Sequence, residues 1–276
     1  MAPHPLAALP PARRLIGCAG WSLSSAVGGQ FPTTGTHLER YARVLPAVEI
    51  NSSFYRPHQP GTYARWRDSV PEAFRFSVKV PRTLTHERRL HDFREPLERF
   101  LSEVEHLEEK LGCLLVQLPP SLSLELEAAG AFFSALRART GVDIMCEPRH
   151  RTWFSEKAVR LLEDHRVGYV SADPPAVRAD QPPDGEVVYF RLHGSPKMYY
   201  SEYSEPYLDA LAERLEEHGL AGQRVWCIFD NTANGAAVPN ALSLLRRGLS
   251  TGREEEVDEK RLTQDTVMVE AAPPLD

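Results

Sequence analysis

Short apolar runs alternate with longer amphipathic stretches along most of this chain. Eight of the runs have the length and the β-branched or aromatic content that are typical of strands. They are Leu15–Ala19, Ala47–Asn51, Phe74–Val80, Cys113–Leu118, Asp143–Glu147, Val167–Ser171, Val187–Leu192 and Val225–Phe229. Strands that alternate with other elements indicate a parallel sheet, because parallel strands need a crossover connection.

The stretches between the predicted strands repeat their apolar residues with the helical period. Within Glu95–Leu111, for example, Leu97 and Leu101 share one apolar face. The other predicted helices are His37–Leu45, Pro60–Ser69, Leu124–Arg139, Ser155–His165, Glu205–His218 and Pro239–Arg247. Eight strands in an alternating β/α order predict an α/β fold, a single (β/α)₈ TIM barrel, with a doubly wound open sheet as the alternative.

Two kinds of segment depart from this pattern. Asp173–Glu186, between strands six and seven, is rich in Pro and Asp and too short for a full helix, so we expect an irregular connection there. Residues 1–13 are rich in Pro and Ala, and residues 251–276 are charged and contain no aromatic residue. Composition therefore predicts two disordered tails around one TIM-barrel domain at residues 14–250.

The charge of the chain is concentrated in its C-terminal tail. The formal net charge is −6, and residues 251–276 contribute eight acidic and three basic side chains to it. The rest of the chain, with 29 basic and 30 acidic residues, is nearly neutral. A near-neutral body argues against bulk electrostatic binding of nucleic acid, although a local basic patch stays compatible with it.

The apolar runs and the cysteines indicate the setting of the protein. No run approaches the roughly 18 residues of a membrane span, so we expect no contact with a membrane. The N-terminus lacks the order of a signal peptide, because its arginines follow the apolar part. None of the four cysteines lies in a C-x-x-C pair, so buried structural thiols in a reducing cytoplasm are expected.

Polar residues gather at the C-terminal ends of the predicted strands. In a TIM barrel these ends converge on one mouth, where active sites lie. Because alternate residues of a strand share a face, Arg191 and His193 should point the same way, and Lys79 should follow Ser77. The opposite faces carry apolar residues such as Phe190, which suit packing against outer helices. The polar set is therefore predicted to face inward.

The residue types at this mouth point to acid–base chemistry on an anion. Arg presents a planar fork and Lys a point charge to phosphate or carboxylate, while His and buried carboxylates can titrate near neutrality. The candidate catalytic residues are Glu147, His193, Glu49 and His150. The candidate substrate-binding and anion-binding residues are Lys79, Arg149, Arg191, Asn51, Gln117, Asp173, His86, Asn231, Trp21, Tyr55 and Tyr200.

We predict that Lys79, Glu147, Arg191 and His193 point into one pocket. In our hypothesis Glu147 and His193 exchange protons with the substrate, while Lys79 and Arg191 hold its anionic group. Buried cations cost several kcal/mol each in lost hydration unless they are paired, so a mouth carboxylate is expected within reach of one of them. The alternative is that every cation is neutralised by a neighbouring carboxylate.

A divalent metal is another use of the same acidic residues. Glu49, Glu147, Asp173, His193 and Asp230 could form a mixed carboxylate and imidazole shell. The cations at the strand ends would compete for those carboxylates, and the chain has no H-x-H or H-E-x-x-H motif. We therefore predict no metal and no other cofactor.

Several strings in the chain resemble a known family. They are GCAGWS, VEINSSFYR, Thr85–His86, LVQLPP, EPRHRTW, FRLHG and FDNT, in this order and spacing. Over about Leu15 to Gly248 the chain resembles the YecE-like family, a domain-of-unknown-function family of TIM-barrel proteins. The family usually has Glu-Phe-Arg-His where this chain has Glu147 to His150, and often Asn-Asn at Asp230 and Asn231. The resemblance implies the fold and leaves the reaction open.

The sequence thus predicts an enzyme, a hydrolase, lyase or isomerase, for a small anionic, hydroxyl-bearing substrate. A non-catalytic binding or sensing module with the same pocket is one alternative. A nucleic-acid-processing enzyme is another. Tyr199, Tyr200 and Tyr203, in the loop after strand seven, are interpreted as a lid or as a stacking wall for sugar rings or bases. The absence of Walker A, G-x-G-x-x-G and G-x-S-x-G motifs disfavours nucleotide hydrolysis, dinucleotide binding and a serine-hydrolase elbow.

Overall fold

All eight predicted strands are present in a computed structural model, which describes residues 14–177 and 185–247. The strands are β1 (Arg14–Ala19), β2 (Ala47–Ile50), β3 (Arg75–Lys79), β4 (Leu111–Gln117), β5 (Asp143–Glu147), β6 (Val167–Asp173), β7 (Val187–Leu192) and β8 (Arg224–Phe229). They pair in parallel and in sequence order, and pairing of β1 with β8 closes the barrel. The predicted TIM barrel is confirmed, and the open sheet is excluded.

Helices follow most of the strands. They are α1 (His37–Ala42), α2 (Pro60–Asp68), α3 (Arg94–Val104), α4 (Leu126–Arg139), α5 (Glu156–Asp164), α6 (Glu205–Leu220) and α7, which includes residues 237–247. Side-chain caps explain where several of them begin. Ser155 and Ser204 accept hydrogen bonds from backbone N–H groups of the first turns of α5 and α6, and Thr36 forms a capping box with Glu39.

One predicted helix was wrong at its C-terminal end. The periodic stretch Glu95–Leu111 divides into α3 and a 3₁₀ segment at Glu105–Lys110. Glu108 has φ 50° and ψ −131°, outside the helical region, so the chain turns there into β4. In the described part of the β6–β7 connection, residues 174–177 and 185–186 lie in bends or have no regular secondary structure. The predicted tails lie outside the described residues.

The barrel buries two separate apolar layers. The outward faces of the strands pack against the helices in the larger layer, which contains Phe76 and Phe190. The smaller layer fills the barrel axis and consists of Leu15, Ala47, Cys113, Leu115, Met145, Val170, Tyr189, Trp226 and Ile228. Tyr189 stacks on Trp226 with 5.8 Å between ring centroids. This inner layer is the apolar floor beneath the C-terminal mouth.

Parallel register places the polar strand ends at similar heights above that floor. Glu49 of β2 pairs with Ser77 of β3, and Gln117 of β4 pairs with Glu147 of β5. All four cysteines are free and buried. None of the described helices has both the length and the apolarity that crossing a bilayer requires.

Candidate functional site

Arg191, near the end of β7, contacts carboxylates of β2 and β5 and of the residue that follows β8. It is fully buried. Its Nε and Nη2 donate to the two oxygens of Glu49 at 2.9 and 2.8 Å, and its Nη1 donates to Glu147 Oε2 at 3.0 Å. Nη2 also lies 3.0 Å from Asp230 Oδ2. Burial would lower the pKa of Arg191, but Asp230, Glu49 and Glu147 raise it well above its ordinary value, so the guanidinium stays charged.

His193, one residue beyond the end of β7, lies between two carboxylates. Its Nδ1 is 3.0 Å from Asp230 Oδ2, and its Nε2 is 3.2 Å from Glu147 Oε1. Burial would lower the pKa of His193, but the hydrogen bonds to Asp230 and Glu147 raise it above its ordinary value. The ring of Tyr199 meets the imidazole edge-on, with 5.6 Å between centroids. The site therefore favours an imidazolium.

The loop after His193 depends on a glycine. Gly194 has φ +93°, and a Cβ there would lie 2.6 Å from the carbonyl oxygen of Ser201. The Gly194 N–H donates to the Tyr203 hydroxyl at 2.9 Å. Only glycine combines this backbone angle with so close an approach, so it lets the loop return across the end of β7.

Glu147 is shared by more cations than any other carboxylate described at the mouth. Besides Arg191 and His193, it accepts bonds from Arg149 Nε and Nη2, which reach Oε1 at 3.0 and 2.8 Å. Burial would raise the pKa of Glu147, but Arg191 and the hydrogen bond from His193 hold it well below its usual range. Glu147 therefore stays ionised near neutral pH. Asp230 shows the same balance, since Arg191 and His193 lower its pKa.

The underside of the network rests on hydroxyl groups. The Tyr189 hydroxyl lies 3.1 Å from Glu49 Oε2 and 2.9 Å from Ser77 Oγ. The side chains of Tyr189 and Ser77 lie on the inward faces of their strands, and their hydroxyl groups lie at the top of the apolar floor. Glu49 is thus satisfied from above by Arg191 and from below by Tyr189, which accounts for a carboxylate that is completely buried.

Lys79 ends β3 beside the network but outside its direct ion pairs. Its Nζ lies 4.2 Å from the centroid of the Phe54 ring, and 5% of the residue is exposed. Burial and the nearby Arg191 lower the pKa of Lys79 to about 8. The imidazole of His86 also packs edge-on against Phe54, with 4.9 Å between the ring centroids. Burial and the charge of Lys79 lower the pKa of His86 to about 4.

Four predicted binding residues lie at or just beyond the strand ends, outside the charged network: Asn51, Gln117, Asp173 and Asn231. Asp173 Oδ1 accepts a bond from the Tyr203 hydroxyl, and Asn231 Nδ2 donates to the carbonyl of Ser201 and to Asn240. The side-chain oxygens of Asn51 and Asn231 are buried without a hydrogen-bond partner among the described residues. Gln117 is buried at the end of β4. Their roles in binding stay predictions.

The structure does not join the other predicted residues to the network. His150 turns to Thr152, whose Oγ1 lies 2.9 Å from His150 Nδ1. Trp21 packs edge-on against Trp66 of α2, with 5.1 Å between centroids, at the margin of the outer core. Tyr55 and Tyr200 are exposed.

Three residues of the site were outside the predicted catalytic and substrate-binding sets. Asp230 was predicted only as an alternative metal ligand, although it follows β8 on the same face as the inward Ile228, and strand parity could have assigned it to the network. Tyr199 and Phe54 lie in connections after strand ends, where no periodicity reports the direction of a side chain. Within the described ranges, no three side chains of His, Cys, Asp or Glu are arranged to hold a metal ion.

Comparisons with known proteins place the chain among proteins whose function is not assigned. UPF0759 protein YecE of Escherichia coli O157:H7 is 30% identical over 153 residues, a match that covers 53% of this chain. The chain thus spans 56% of the length of that relative. UPF0759 protein YunF of Bacillus subtilis is 25% identical over 263 residues, which cover 83% of this chain and 93% of YunF.

Solved structures and a family model agree with these relatives. A DUF72 family protein of Thermotoga maritima is 25% identical, has a TM-score of 0.71, and is matched over 84% of this chain and 98% of its own. One from Enterococcus faecalis, at 23% identity and a TM-score of 0.71 over 86% of this chain and 95% of its own, shows the same fold. The model described as "Protein of unknown function DUF72" matches residues 15–263, which include all of the strand residues except Arg14 and every residue of the charged network. The chain therefore belongs to the DUF72 family, the family of the YecE-like proteins.

Proposed function

We propose that this protein is an enzyme that acts by acid–base chemistry on a small anionic, hydroxyl-bearing substrate at the C-terminal mouth. The observation that carries the proposal is the position of His193 between Asp230 and Glu147. Two ionised carboxylates fix the imidazole and raise its pKa, whereas their own pKa values are lowered. Titratable neighbours whose pKa values are pushed apart are typical of acid–base sites.

In this proposal His193 carries the proton and Glu147 is a positioning residue. The contact between Nε2 and Glu147 Oε1 is the longer of the two contacts of the ring, at 3.2 Å. When a substrate hydroxyl takes the place of Oε1 at Nε2, Glu147 keeps its bonds to Arg149 and Arg191. Asp230 continues to orient the ring through Nδ1, so the imidazolium can donate its proton to the substrate and recover it afterwards.

The anionic group of the substrate is assigned to Arg149 and Lys79. Arg191 donates to three carboxylates and is fully buried, so it organises the site instead of holding substrate. Arg149 contacts a single carboxylate oxygen and exposes 17% of its side chain. With His193 protonated, the four cations Lys79, Arg149, Arg191 and His193 exceed the three carboxylates by one charge, which favours an anion.

A non-catalytic binding module is the second candidate, and it too has a specific observation in its favour. Both ring nitrogens of His193 already have partners, and the residue is almost fully buried. A network that is complete without a substrate can serve as a rigid wall for a ligand. In that case the ligand binds through Arg149 and Lys79, and His193 transfers no proton.

A panel of sugar phosphates and hydroxy acids separates the two candidates. Proton NMR in D₂O follows exchange of substrate C–H groups and formation of product, and fluorescence titration follows binding. We expect His193→Asn to reduce turnover by at least about 100-fold, because a general acid–base group contributes that much, while the dissociation constant changes by less than about threefold.

His106→Asn is the matched control, because His106 contacts the Ser102 carbonyl on the outside of the barrel. It should leave both turnover and binding unchanged. Wild-type binding without turnover of any compound that binds would establish the binding module instead. Equal turnover by wild type and His193→Asn would remove His193 from the chemistry.

A further inference from the structure

Lys79 differs from every other cation of the mouth network in its contacts. Arg149, Arg191 and His193 each lie within 3.2 Å of a carboxylate oxygen. Lys79 Nζ forms no direct ion pair and donates no hydrogen bond to any described residue, and it lies against the face of Phe54. Glu49, Glu147 and Asp230 act on it only through space. Among the described residues of the charged network, Lys79 is therefore the one cation whose nitrogen lone pair has no hydrogen-bonding partner after the proton leaves.

A second buried lysine shows what a structural amine looks like in this protein. Lys110 Nζ donates to the carbonyl oxygens of Arg67 and Val70, both at 2.8 Å. Those two bonds commit N–H groups of Nζ and fix its position at the other end of the barrel. Lys79 and Lys110 are similarly buried, with 5% and 6% exposed. The difference between them is therefore in their partners and not in their burial.

We infer that Lys79 is a covalent catalyst, an amine that forms an imine with the carbonyl group of an aldehyde or ketone substrate. The inference rests on the proposed function, because it requires the mouth to be a substrate site. It deepens that function by narrowing the substrate to an anionic hydroxyaldehyde or hydroxyketone. Arg149 then holds the anionic group alone, and Lys79 reacts with the carbonyl carbon.

The step balances with the groups that are present. The Nζ lone pair attacks the carbonyl carbon, a C–N bond forms, and the carbonyl π electrons move to oxygen. A proton passes from nitrogen to that oxygen, which gives a carbinolamine. His193 then donates its proton to the hydroxyl group, water leaves, and the C=N bond of an iminium ion forms. Nothing is oxidised or reduced, and the products are the iminium ion, one water and neutral His193.

The electrostatics of the site support the availability of this amine. Burial and Arg191 lower the pKa of Lys79 to about 8. At pH 7 such an amine is neutral in about a tenth of the molecules, whereas an ordinary lysine is neutral in fewer than about one in a thousand. Desolvation of a lysine beside another cation is an established way to make it nucleophilic. An iminium ion in turn draws electrons from the neighbouring carbon, which suits a lyase or an isomerase.

Reductive trapping tests the inference on the full chain. The protein is incubated with glyceraldehyde 3-phosphate, dihydroxyacetone phosphate or hydroxypyruvate, each an anionic hydroxyaldehyde or hydroxyketone, and sodium cyanoborohydride reduces any iminium ion to a stable amine. Intact mass and peptide mapping then locate the adduct. We expect one adduct per chain on Lys79 with at least one probe, and we expect Lys79→Arg, which keeps the charge, to reduce the yield at least about tenfold.

Lys110→Arg is the matched control and should leave the yield unchanged. The rate of trapping should rise with pH to a midpoint of about 8, where Lys79 loses its proton. Thermal unfolding of Lys79→Arg checks that it folds, and mapping of the wild-type adduct keeps the test valid if it does not. An adduct spread over surface lysines, or absent from Lys79 with all three probes, overturns the inference.

Binding of inorganic phosphate, measured in parallel, separates this failure from failure of the proposed function. If phosphate binds and Arg149→Met weakens it while no adduct forms on Lys79, the imine is wrong and the anion site stands. If neither phosphate nor any probe binds, the proposed function fails together with the imine.

Discussion

The two ends of the barrel both place an arginine against an acidic side chain, but in different surroundings. At the C-terminal mouth Arg191 and Glu49 form a bidentate pair in which 1% and 0% of the side chains are exposed. At the N-terminal end Arg224 contacts Asp143 at 2.6 Å, with 38% and 16% exposed. That end also has a cavity of about 380 Å³ that includes both residues. Water screens the second pair and not the first, so only the first is forced to find a partner for every charge.

The charge balance of the two ends differs as well. The N-terminal cavity is lined by three arginines, Arg137, Arg166 and Arg224, and by three acidic residues, Asp143, Glu163 and Glu186. Arg137 spends its donors on the backbone carbonyls of Thr140, Val142, His165 and Arg166. At the mouth, in contrast, Lys79 Nζ forms no ion pair and no hydrogen bond with any described residue. Under the proposed function, the mouth therefore differs from the N-terminal end in a buried lysine that is left over after pairing, more than in its number of charges.

Removal of the arginine at each end should produce the largest difference between them. We expect Arg191→Met to lower the free energy of unfolding by about 3–5 kcal/mol, because it leaves buried carboxylates without their partner. Arg224→Met should lower it by less than about 1 kcal/mol, because that pair is partly hydrated. Urea unfolding monitored by circular dichroism measures both.

Removal of the Glu49 charge in addition to Arg191 tests whether stranded carboxylates cause the loss of stability. Arg191→Met combined with Glu49→Gln should be more stable than Arg191→Met alone, because one of the stranded carboxylates is removed. Equal losses at the two ends of the barrel would contradict the comparison.

A smaller effect should appear in the pH dependence of stability. The pKa of His193 is raised in the folded protein, so His193 contributes stability that is complete below its unfolded pKa of about 6.5 and is lost as the pH rises through the folded value. The difference in unfolding free energy between wild type and His193→Asn should therefore decrease as the pH rises above about 6.5. Chemical denaturation at a series of pH values measures it.

His58 offers a control of opposite sign outside the network. Burial and Arg56 lower the pKa of His58, so its contribution is lost as the pH falls and not as it rises. The wild-type minus His58→Asn difference should therefore fall on acidification. The same slope for both variants would mean that the two carboxylates do not stabilise the imidazolium of His193.

The smallest effect is expected from Asp143→Asn at the N-terminal end. Burial raises the pKa of Asp143, and Arg224 offsets only part of that effect. The Asp143 carboxyl therefore takes up its proton at a higher pH in the folded state than in the unfolded state. The wild-type minus Asp143→Asn difference should rise as the pH falls toward about 4 and stay within about 1 kcal/mol. Glu147→Gln should behave in the opposite way, because the pKa of Glu147 is lowered. Matching signs in acid titrations of the two variants would refute the assignment.

Strand alternation explains why the sequence predicted so much of the fold and of the site. Parity decides which face a residue occupies, so Glu49, Lys79, Glu147, Arg191 and His193 could be assigned to the barrel interior without coordinates. The hydrogen-bond and ion-pair partners of these residues could not be assigned in this way, because they depend on the tilt of the strands and on the reach of the side chains. The sequence therefore offered Arg191 as a substrate ligand, whereas its donors all reach carboxylates.

The contacts of positions beyond the strand ends could not be derived from the sequence. Parity stops where the strand stops, and His150 follows the bend after β5 to meet Thr152. Trp21 follows the end of β1, and its ring packs on Trp66 of α2 instead of joining the charged network. The protonation of Glu147 could not be predicted either, because burial and charge act on a carboxyl in opposite directions and only the contacts decide which prevails.

The bonds of Arg191 have a consequence for how long the native barrel persists. Arg191 and Glu49 are separated by 142 residues along the chain, and Arg191 and Glu147 by 44. Contacts so distant in sequence need most of the strands to be assembled, so we expect them to form late in folding. Interactions that are absent from the folding transition state slow unfolding and leave the folding rate nearly unchanged. The ion pairs of Arg191 should therefore lengthen the lifetime of the folded chain and increase its resistance to proteases, whether or not a substrate is bound.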